Sequence, residues 1–425
     1  MEIPSIKEGL IKNIQENLDS RTIKKLLRMV SFGPVLALYG SSIKSEVDRY
    51  LNIYTIKYLN EVYSEKFPIA YGSLFLPYEL IIGLGLKPFL PEIMSGFTAG
   101  VGVAKKTIKA ASDRWYSNDL CTFHRSAAGA CEMGLFPKPS FIFCSNLACD
   151  AAGKSFQNFA RKFNIEDNYY FIDVPHDNDE MSLKFLSSQL ENIFYNVSEK
   201  LHAKQSKENL KKAINYSNSF RKFAIEANNL RKELFDYPQY FNGLNYILPF
   251  FGLSGTQECI DIYKKMRNEL KYKLVRQDKN KKMKKILWMH LKPYFGNDIF
   301  NILEKNNIRV VFEETSNIFW EELDPDKPFE SLAKKLLSNP LRGTGENRIK
   351  AMQQIAQDYE IDGIIMFSHW GCRQSNGLSR IIREEFNKKS IPVLILDGDC
   401  VDANNSPAGQ IKTRVEGFAE ILNSI

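Results

Sequence analysis

Four short runs in the last third of the chain, Lys285-Ile-Leu-Trp-Met-His290, Ile308-Arg-Val-Val-Phe312, Gly363-Ile-Ile-Met-Phe-Ser368 and Ile391-Pro-Val-Leu-Ile-Leu396, are apolar along nearly their whole length. Helix-length segments separate them. A strand wetted on one face alternates apolar and polar residues, so strands without a polar face must be covered on both sides, as in a parallel sheet between two helical layers. An earlier pair, Pro139-Ser-Phe-Ile-Phe-Cys-Ser145 and Tyr169-Tyr-Phe-Ile-Asp-Val-Pro175, brackets a helical stretch over 152–163 and reads as a β-α-β unit. The expected fold is therefore α/β, with two doubly wound, Rossmann- or flavodoxin-like parallel-sheet domains at 67–195 and 285–425. The charged, strand-poor stretch 196–284 reads as a helical connector. Residues 1–66 read as an N-terminal helical cap, because Ile6, Leu10, Ile11 and Ile14 recur at helical spacing and 21–30 and 45–63 continue the pattern. With 425 residues, two domains are expected, since single cores stop growing near about 250–300 residues. No internal repeat is visible in the letters, although two similar architectures are able to hide one.

The chain is 44% hydrophobic and 25% charged, a globular balance that excludes disorder and fibrous folds. Its start, with Glu2 and Glu8, lacks the basic end and apolar run of a secretory signal. The most apolar stretch, 76–90, is interrupted by Glu79 and Lys87 and falls short of the roughly 18 uncharged residues of a membrane span. A cytoplasmic protein without membrane association is expected. The net charge of +7 is local, because the stretch from Lys264 to Lys285 holds eleven basic and two acidic residues. Tyr272 is the one aromatic there, so the run reads as a solvated helix face and linker, and no nucleic-acid partner is expected.

In such a compartment disulfides are rare, and seven cysteines read as core residues or metal ligands. Cys121, Cys131, Cys144 and Cys149 cluster, Cys372 and Cys400 form a second group, and Cys259 stands alone as a small buried hydrophobe. Sites in parallel sheets form beyond the C-terminal strand ends, where following helices present their N-termini. Cys144 ends a strand run, Cys149 opens the next helix, Cys372 lies in a loop after a strand, and Cys400 follows the last run. A helix N-terminus also lowers a thiol's pKa and favours the metal-binding thiolate. There is no C-x-x-C pair for structural zinc, and ferredoxin spacing is absent too. Iron-sulfur ligands delivered from separate strand ends need no tight spacing.

Five landmarks occur in order: Leu76-Pro-Tyr-Glu-Leu, Leu120-Cys-Thr-Phe-His-Arg, Cys149-Asp150, Gly371-Cys372-Arg373, and the tail Leu396-Asp-Gly-Asp with Gly409-Gln-Ile-Lys-Thr-Arg414-Val-Glu-Gly-Phe418. From about Leu76 to the C-terminus the chain resembles the 2-hydroxyacyl-CoA dehydratase and benzoyl-CoA reductase family. The resemblance implies a cubane [4Fe-4S] cluster on three cysteines, by motif Cys121, Cys149 and Cys372, leaving one iron without a cysteine. It also implies low-potential electrons from a separate ATP-hydrolysing iron-sulfur activator. The chain itself has no G-x-x-x-x-G-K-[ST] loop. Cys131, Cys144 and Cys400 double the set, and six cysteines resemble the double-cubane cluster proteins, which are ATP-dependent reductases of small molecules. The expected function is accordingly an oxygen-sensitive, dimeric reductase component carrying a double-cubane [8Fe-9S] cluster, with a homodimer, an activator and a small-molecule substrate as partners. Two alternatives stay open: a subunit of a 2-hydroxyacyl-CoA dehydratase with one [4Fe-4S] cluster, and a non-catalytic α/β protein whose cysteines are structural or bind zinc.

His369 and His124 are the candidate catalytic residues, each near a cysteine where it could donate a proton or hydrogen-bond a cluster sulfur. Trp370 is expected to line the same pocket, and Arg125 and Arg373 to supply positive charge. Asp397 and Asp399 read as loop-holding residues. The glycines at 96, 100 and 102 and at 343 and 345 fail the spacing of nucleotide loops.

Overall fold

The computed structural model describes residues 45–234, 245–277 and 283–425. Residues 1–44 of the expected cap and residues 278–282 of the basic run lie outside the described residues. Among the described residues eight strands form two all-parallel sheets. The first joins β1 (Ile69–Gly72), β2 (Lys87–Phe89), β3 (Phe141–Ser145) and β4 (Tyr169–Ile172) in the order β2-β1-β3-β4. The second joins β5 (Lys284–Met289), β6 (Ile308–Glu313), β7 (Gly363–His369) and β8 (Val393–Gly398) in the order β6-β5-β7-β8. Both are the same winding, so the expected fold class holds and the repeat invisible in the letters exists in the architecture. The apolar runs explain it: β3 and β7 are buried at every position, whereas β4 at the sheet edge is only half covered.

The Ala152–Phe163 crossover helix shows how local sequence sets an element. Phe156, Phe159 and Ala160 bury one face, each Phe contributing about 1.5–3 kcal/mol. Arg161 and Lys162 sit in the last turn, favourable to the C-terminal dipole, and Asn164 stops the helix in the left-handed conformation at φ 54°. Among the described residues the expected connector holds three α-helices, Glu180–Lys200, Ser206–Glu233 and Gln257–Arg276. The boundary expected at 195 falls inside the first of these, whose apolar positions continue to Val197. Of the cap, the Glu46–Tyr63 helix is described, with the Ser45 side chain accepting from the Asp48 N–H at its start.

The two halves interlock. Trp320, Leu323, Leu332, Leu336 and Leu337, which precede β7 in sequence, are buried in the core of the first sheet. Ala99, Ala104, Ile108 and Phe123, from the first half, are buried in the core of the second. The expected range 285–425 is thus not a self-contained packing unit. Among the described residues no helix is long and apolar enough to cross a membrane.

Candidate active site

The exchange of core residues turns the C-terminal edges of both sheets toward one cavity of about 630 Å³. Ser73 follows β1, Ser145 ends β3, His290 follows β5, Glu314 follows β6 and His369 ends β7, and all five line it. In each sheet the winding reverses between its first and third strands, β1/β3 and β5/β7, which is where open parallel sheets place ligands. The volume is in the range of small-molecule sites.

Cys121, Cys149 and Cys372 line this cavity. Each comes from a helix start. Cys121 is the N-cap of the Thr122–Glu132 helix, Cys149 precedes the Ala152–Phe163 helix, and Cys372 is the N-cap of the short Arg373–Asn376 turn. Their sulfurs face backbone N–H groups there: Phe123 and His124 for Cys121, Ala151 and Ala152 for Cys149, Ser375 for Cys372. Every one also has its own histidine. Cys121 Sγ lies 3.2 Å from His369 Nε2, Cys149 Sγ 3.3 Å from His124 Nε2, and Cys372 Sγ 3.5 Å from His290 Nε2.

Partner chemistry fixes two of the tautomers. His369 Nδ1 accepts the Cys400 N–H at 3.0 Å, so its Nε2–H points at Cys121. His290 Nδ1–H donates to the Phe367 carbonyl at 2.9 Å, so its Nε2 faces Cys372 with a lone pair unless the ring is charged. Burial depresses His124 to about 4 and His369 to about 3. Burial also drives the Cys121 thiol far above its usual value and Cys149 up to about 12, with the neighbouring thiols adding to both. Cys372 goes the other way: burial would raise it, but the charge and hydrogen bond of His290 hold it below the ordinary thiol value.

The other three expected ligands are elsewhere. Cys131 is buried in the first core, where it and Tyr71 interact. Cys144 is buried within β3, its thiol directed to the Ser145 carbonyl at 3.6 Å. Cys400 is fully buried in the second core. None of the three lines the cavity, because each belongs to a strand, helix or loop that the sheets need for packing. Cys259 is buried as expected, donating to the Pro249 carbonyl at 3.2 Å.

Other expectations divide in the same way. Arg125 is turned away from the cavity, donating to Asn118 and Ser112 of the segment before Cys121. Arg373 is an exposed rim residue that pairs with Asp150 at 2.8 Å, linking the residues that follow Cys372 and Cys149. Trp370 is 54% exposed rather than in the pocket. Asp399 holds its loop as expected, accepting from Val401 and Asp402, and also from the Thr122 hydroxyl at 2.6 Å beside Cys121. Asp397 pairs with Arg414.

Four residues of the site carry no motif in the sequence: His290, Glu92, Glu314 and Arg348. The strand-end rule points to His290 and Glu314 once β5 and β6 are placed. Glu92 and Arg348 come from helices and have no local signal. Glu92 lies 4.0 Å from His124, its Oε2 is buried without a partner, and burial pushes its carboxyl up to about 8. Two non-glycine residues at the site are left-handed, Ala148 at φ 60° and His290 at φ 68°, and such strain gathers at functional positions.

The donor set suits a polynuclear cluster. Among the described residues no three His, Cys, Asp or Glu side chains converge on a single point. The three thiols share one cavity and already face N–H donors, and burial keeps two of them, Cys121 and Cys149, from ionising on their own. A cationic cluster would ionise and fill such a set.

The family described as 2-hydroxyglutaryl-CoA dehydratase, D-component, matches residues 73–422. The chain belongs to that family. It is 22% identical over 367 residues to the (R)-phenyllactyl-CoA dehydratase alpha subunit of Clostridium sporogenes, covering 81% of this chain and 87% of that relative. It is 23% identical over 308 residues to the (R)-2-hydroxyglutaryl-CoA dehydratase alpha subunit of Acidaminococcus fermentans, covering 68% of this chain and 61% of that relative. A benzoyl-CoA reductase component from Thauera aromatica is 21% identical over 390 residues, with 83% of this chain and 88% of that relative covered. Dehydratase-family membership makes the chain a component of an enzyme, as the sequence landmarks implied.

Proposed function

We propose that this chain is the cluster-bearing component of a 2-hydroxyacyl-CoA dehydratase, holding one [4Fe-4S] cluster on Cys121, Cys149 and Cys372 and supplied with electrons by a separate ATP-hydrolysing activator. The observation that carries it is three thiols, each at a helix start and each against its own histidine, lining one cavity between two strand-end edges. A cluster on three cysteines supplies single electrons and one iron open to a further ligand. The doubled [8Fe-9S] reading is the less supported, because Cys131, Cys144 and Cys400 are core residues. The relatives are named as parts of larger enzymes, and this reading gives the chain an associated polypeptide as well, a further copy of itself being the expectation from sequence.

The chain's own groups divide the work. His124 and His369, expected either to donate a proton or to hydrogen-bond a cluster sulfur, are depressed by burial and suit the second role, each lying against a thiol. The proton falls to Glu92. Its carboxyl remains protonated up to about pH 8 and lines the cavity, so it is placed to protonate a leaving hydroxyl.

The test is iron and acid-labile sulfide per chain on protein purified without oxygen. About four irons are expected, the content of one cubane. Cys121→Ser, Cys149→Ser and Cys372→Ser should each lose most of the iron, while Cys131→Ser, Cys144→Ser and Cys400→Ser should keep it. About eight irons, with loss in all six variants, would replace this reading by the double cubane; none in any preparation would remove both.

A further inference from the structure

The Pro91–Gly100 helix presents two different faces. On one, hydroxyls reach the Thr122–Glu132 helix that Cys121 caps: Ser95 Oγ donates to the Phe123 carbonyl at 2.6 Å, and Thr98 Oγ1 and Ser126 Oγ share a hydrogen bond of 3.0 Å. From the first contact to the second each helix advances three residues, so the two run in the same direction. On the other face Ile93, Gly96, Phe97, Gly100 and the C-cap residue Val101 line the cavity. Their spacing, i, i+3, i+4, i+7 and i+8, makes one stripe along a helix, and none of them is charged.

The thiols stand at the start of this stripe. Glu92 lies 4.0 Å from His124, which lies 3.3 Å from Cys149 Sγ, and Cys121 begins the parallel helix. Gly100 is eight residues beyond Glu92, about 12 Å along the axis at ~1.5 Å per residue, and the cavity follows the helix for that distance. The Glu46–Tyr63 helix adds a second uncharged stripe, since Leu51, Asn52, Thr55, Ile56 and Leu59 line the same space. A glycine sets part of the width: the Tyr294 ring lies against Gly96, where a Cβ would come within 3.3 Å of it, so a side chain there would displace a ring that also lines the cavity.

We propose that the cavity takes a linear apolar chain laid along the Pro91–Gly100 helix, with one end at the thiols and the other at Val101. That this chain belongs to an acyl substrate rests on the dehydratase reading; the channel rests on its walls alone.

The experiment measures binding of 1-butanol, 1-hexanol and 1-octanol to the full chain purified without oxygen, by ligand-observed NMR. These uncharged probes share one head group and differ only in apolar length. The dissociation constant is expected to fall about fourfold for each added methylene from butanol to octanol. Val101→Trp, which fills the far end, should weaken octanol at least about tenfold, the loss of two or more buried methylenes, and butanol less than about twofold. Thr55→Trp, from the other stripe, repeats the block where Val101→Trp does not fold. Affinity independent of chain length, octanol binding unchanged in a folded variant, or equal loss of both alcohols would overturn the proposal. Iron measured on the same preparations separates the two readings. Length dependence without iron removes the dehydratase reading alone, and about four irons, one cubane, without length dependence removes the channel alone.

Discussion

Gly371 ties the two halves of the site together, and its substitution tests whether their approach is what assembles the thiols. It sits at φ +77°, and a Cβ there would lie 2.7 Å from both the Cα and N of Cys121 and 3.2 Å from the Asp119 carbonyl oxygen. Ordinary contact begins near 3.4 Å, so the Cys121 backbone, the N-cap of a buried helix, would have to retreat by 0.7 Å. Alanine in the left-handed region costs about 1–2 kcal/mol, and overpacking against backbone adds about 1–3 kcal/mol. Gly371→Ala should therefore destabilise by about 2–5 kcal/mol and, by moving Cys372 relative to Cys121, lose more than half the cluster iron. Gly85 is the control, at φ +76° with nothing within 4 Å of the added Cβ. Gly85→Ala should cost only the conformational part and keep its iron. Denaturation midpoints with iron per chain read both effects. Equal destabilisation of the two variants, with full iron in Gly371→Ala, would refute the reasoning.

In the iron-free chain near neutral pH, iodoacetamide should label Cys372 before Cys121 or Cys149, because burial raises the latter two while His290 outweighs burial at Cys372; His290→Phe should abolish that priority in a peptide map. The Glu92 carboxyl, ordinarily near 4.5, is held up to about 8 by burial, so the folded chain keeps a proton the unfolded chain releases. Wild-type stability should then fall as pH rises from about 4.5 to about 8, by a ceiling of roughly 5 kcal/mol at ~1.4 kcal/mol per pH unit. Glu92→Gln should flatten that slope in denaturation curves, and a parallel slope in the variant would show the carboxyl is not the cause. Arg373→Ala breaks only an exposed pair with Asp150 and should change stability by no more than about 0.5 kcal/mol with iron retained; iron loss would place Arg373 among the groups that support the cluster.

Much of the architecture was legible because parallel strands buried on both faces leave an unmistakable apolar run. All six runs picked from sequence contain a strand, and the 152–163 crossover helix matches Ala152–Phe163 end for end. β1 and β2, of 4 and 3 residues, are too short to stand out. The interlocking of the cores was not legible either, since nothing in the letters says that Trp320 packs with the first sheet or Phe123 with the second. At the site, the strand-end argument reaches Cys149 and Cys372, which line the cavity, but admits Cys144 and Cys400 as well, which do not. Proximity to a strand end does not say which way a side chain points, and alternate residues of a strand face opposite layers. His290 escaped notice because its role depends on β5 and β7 being neighbours, a pairing that only the folded sheet supplies.

The shared winding explains why two of the three thiols look alike. Cys149 lies four residues beyond the end of β3 and Cys372 three beyond the end of β7, and β3 and β7 hold the same place in their sheets. Each follows the strand beside the switch point and stands before a helix start, so one device is used twice, once per sheet. Cys121 has no such counterpart. It belongs to the Thr122–Glu132 helix of the long β2-to-β3 connection, and it is drawn to the cavity by the second half of the chain: Gly371 packs on its backbone, His369 faces its sulfur, and Asp399 holds the adjacent Thr122. A site with two thiols from one half and one from the other is completed only when both sheets are folded and docked. Cluster uptake should therefore report the assembly of the whole chain rather than of either sheet.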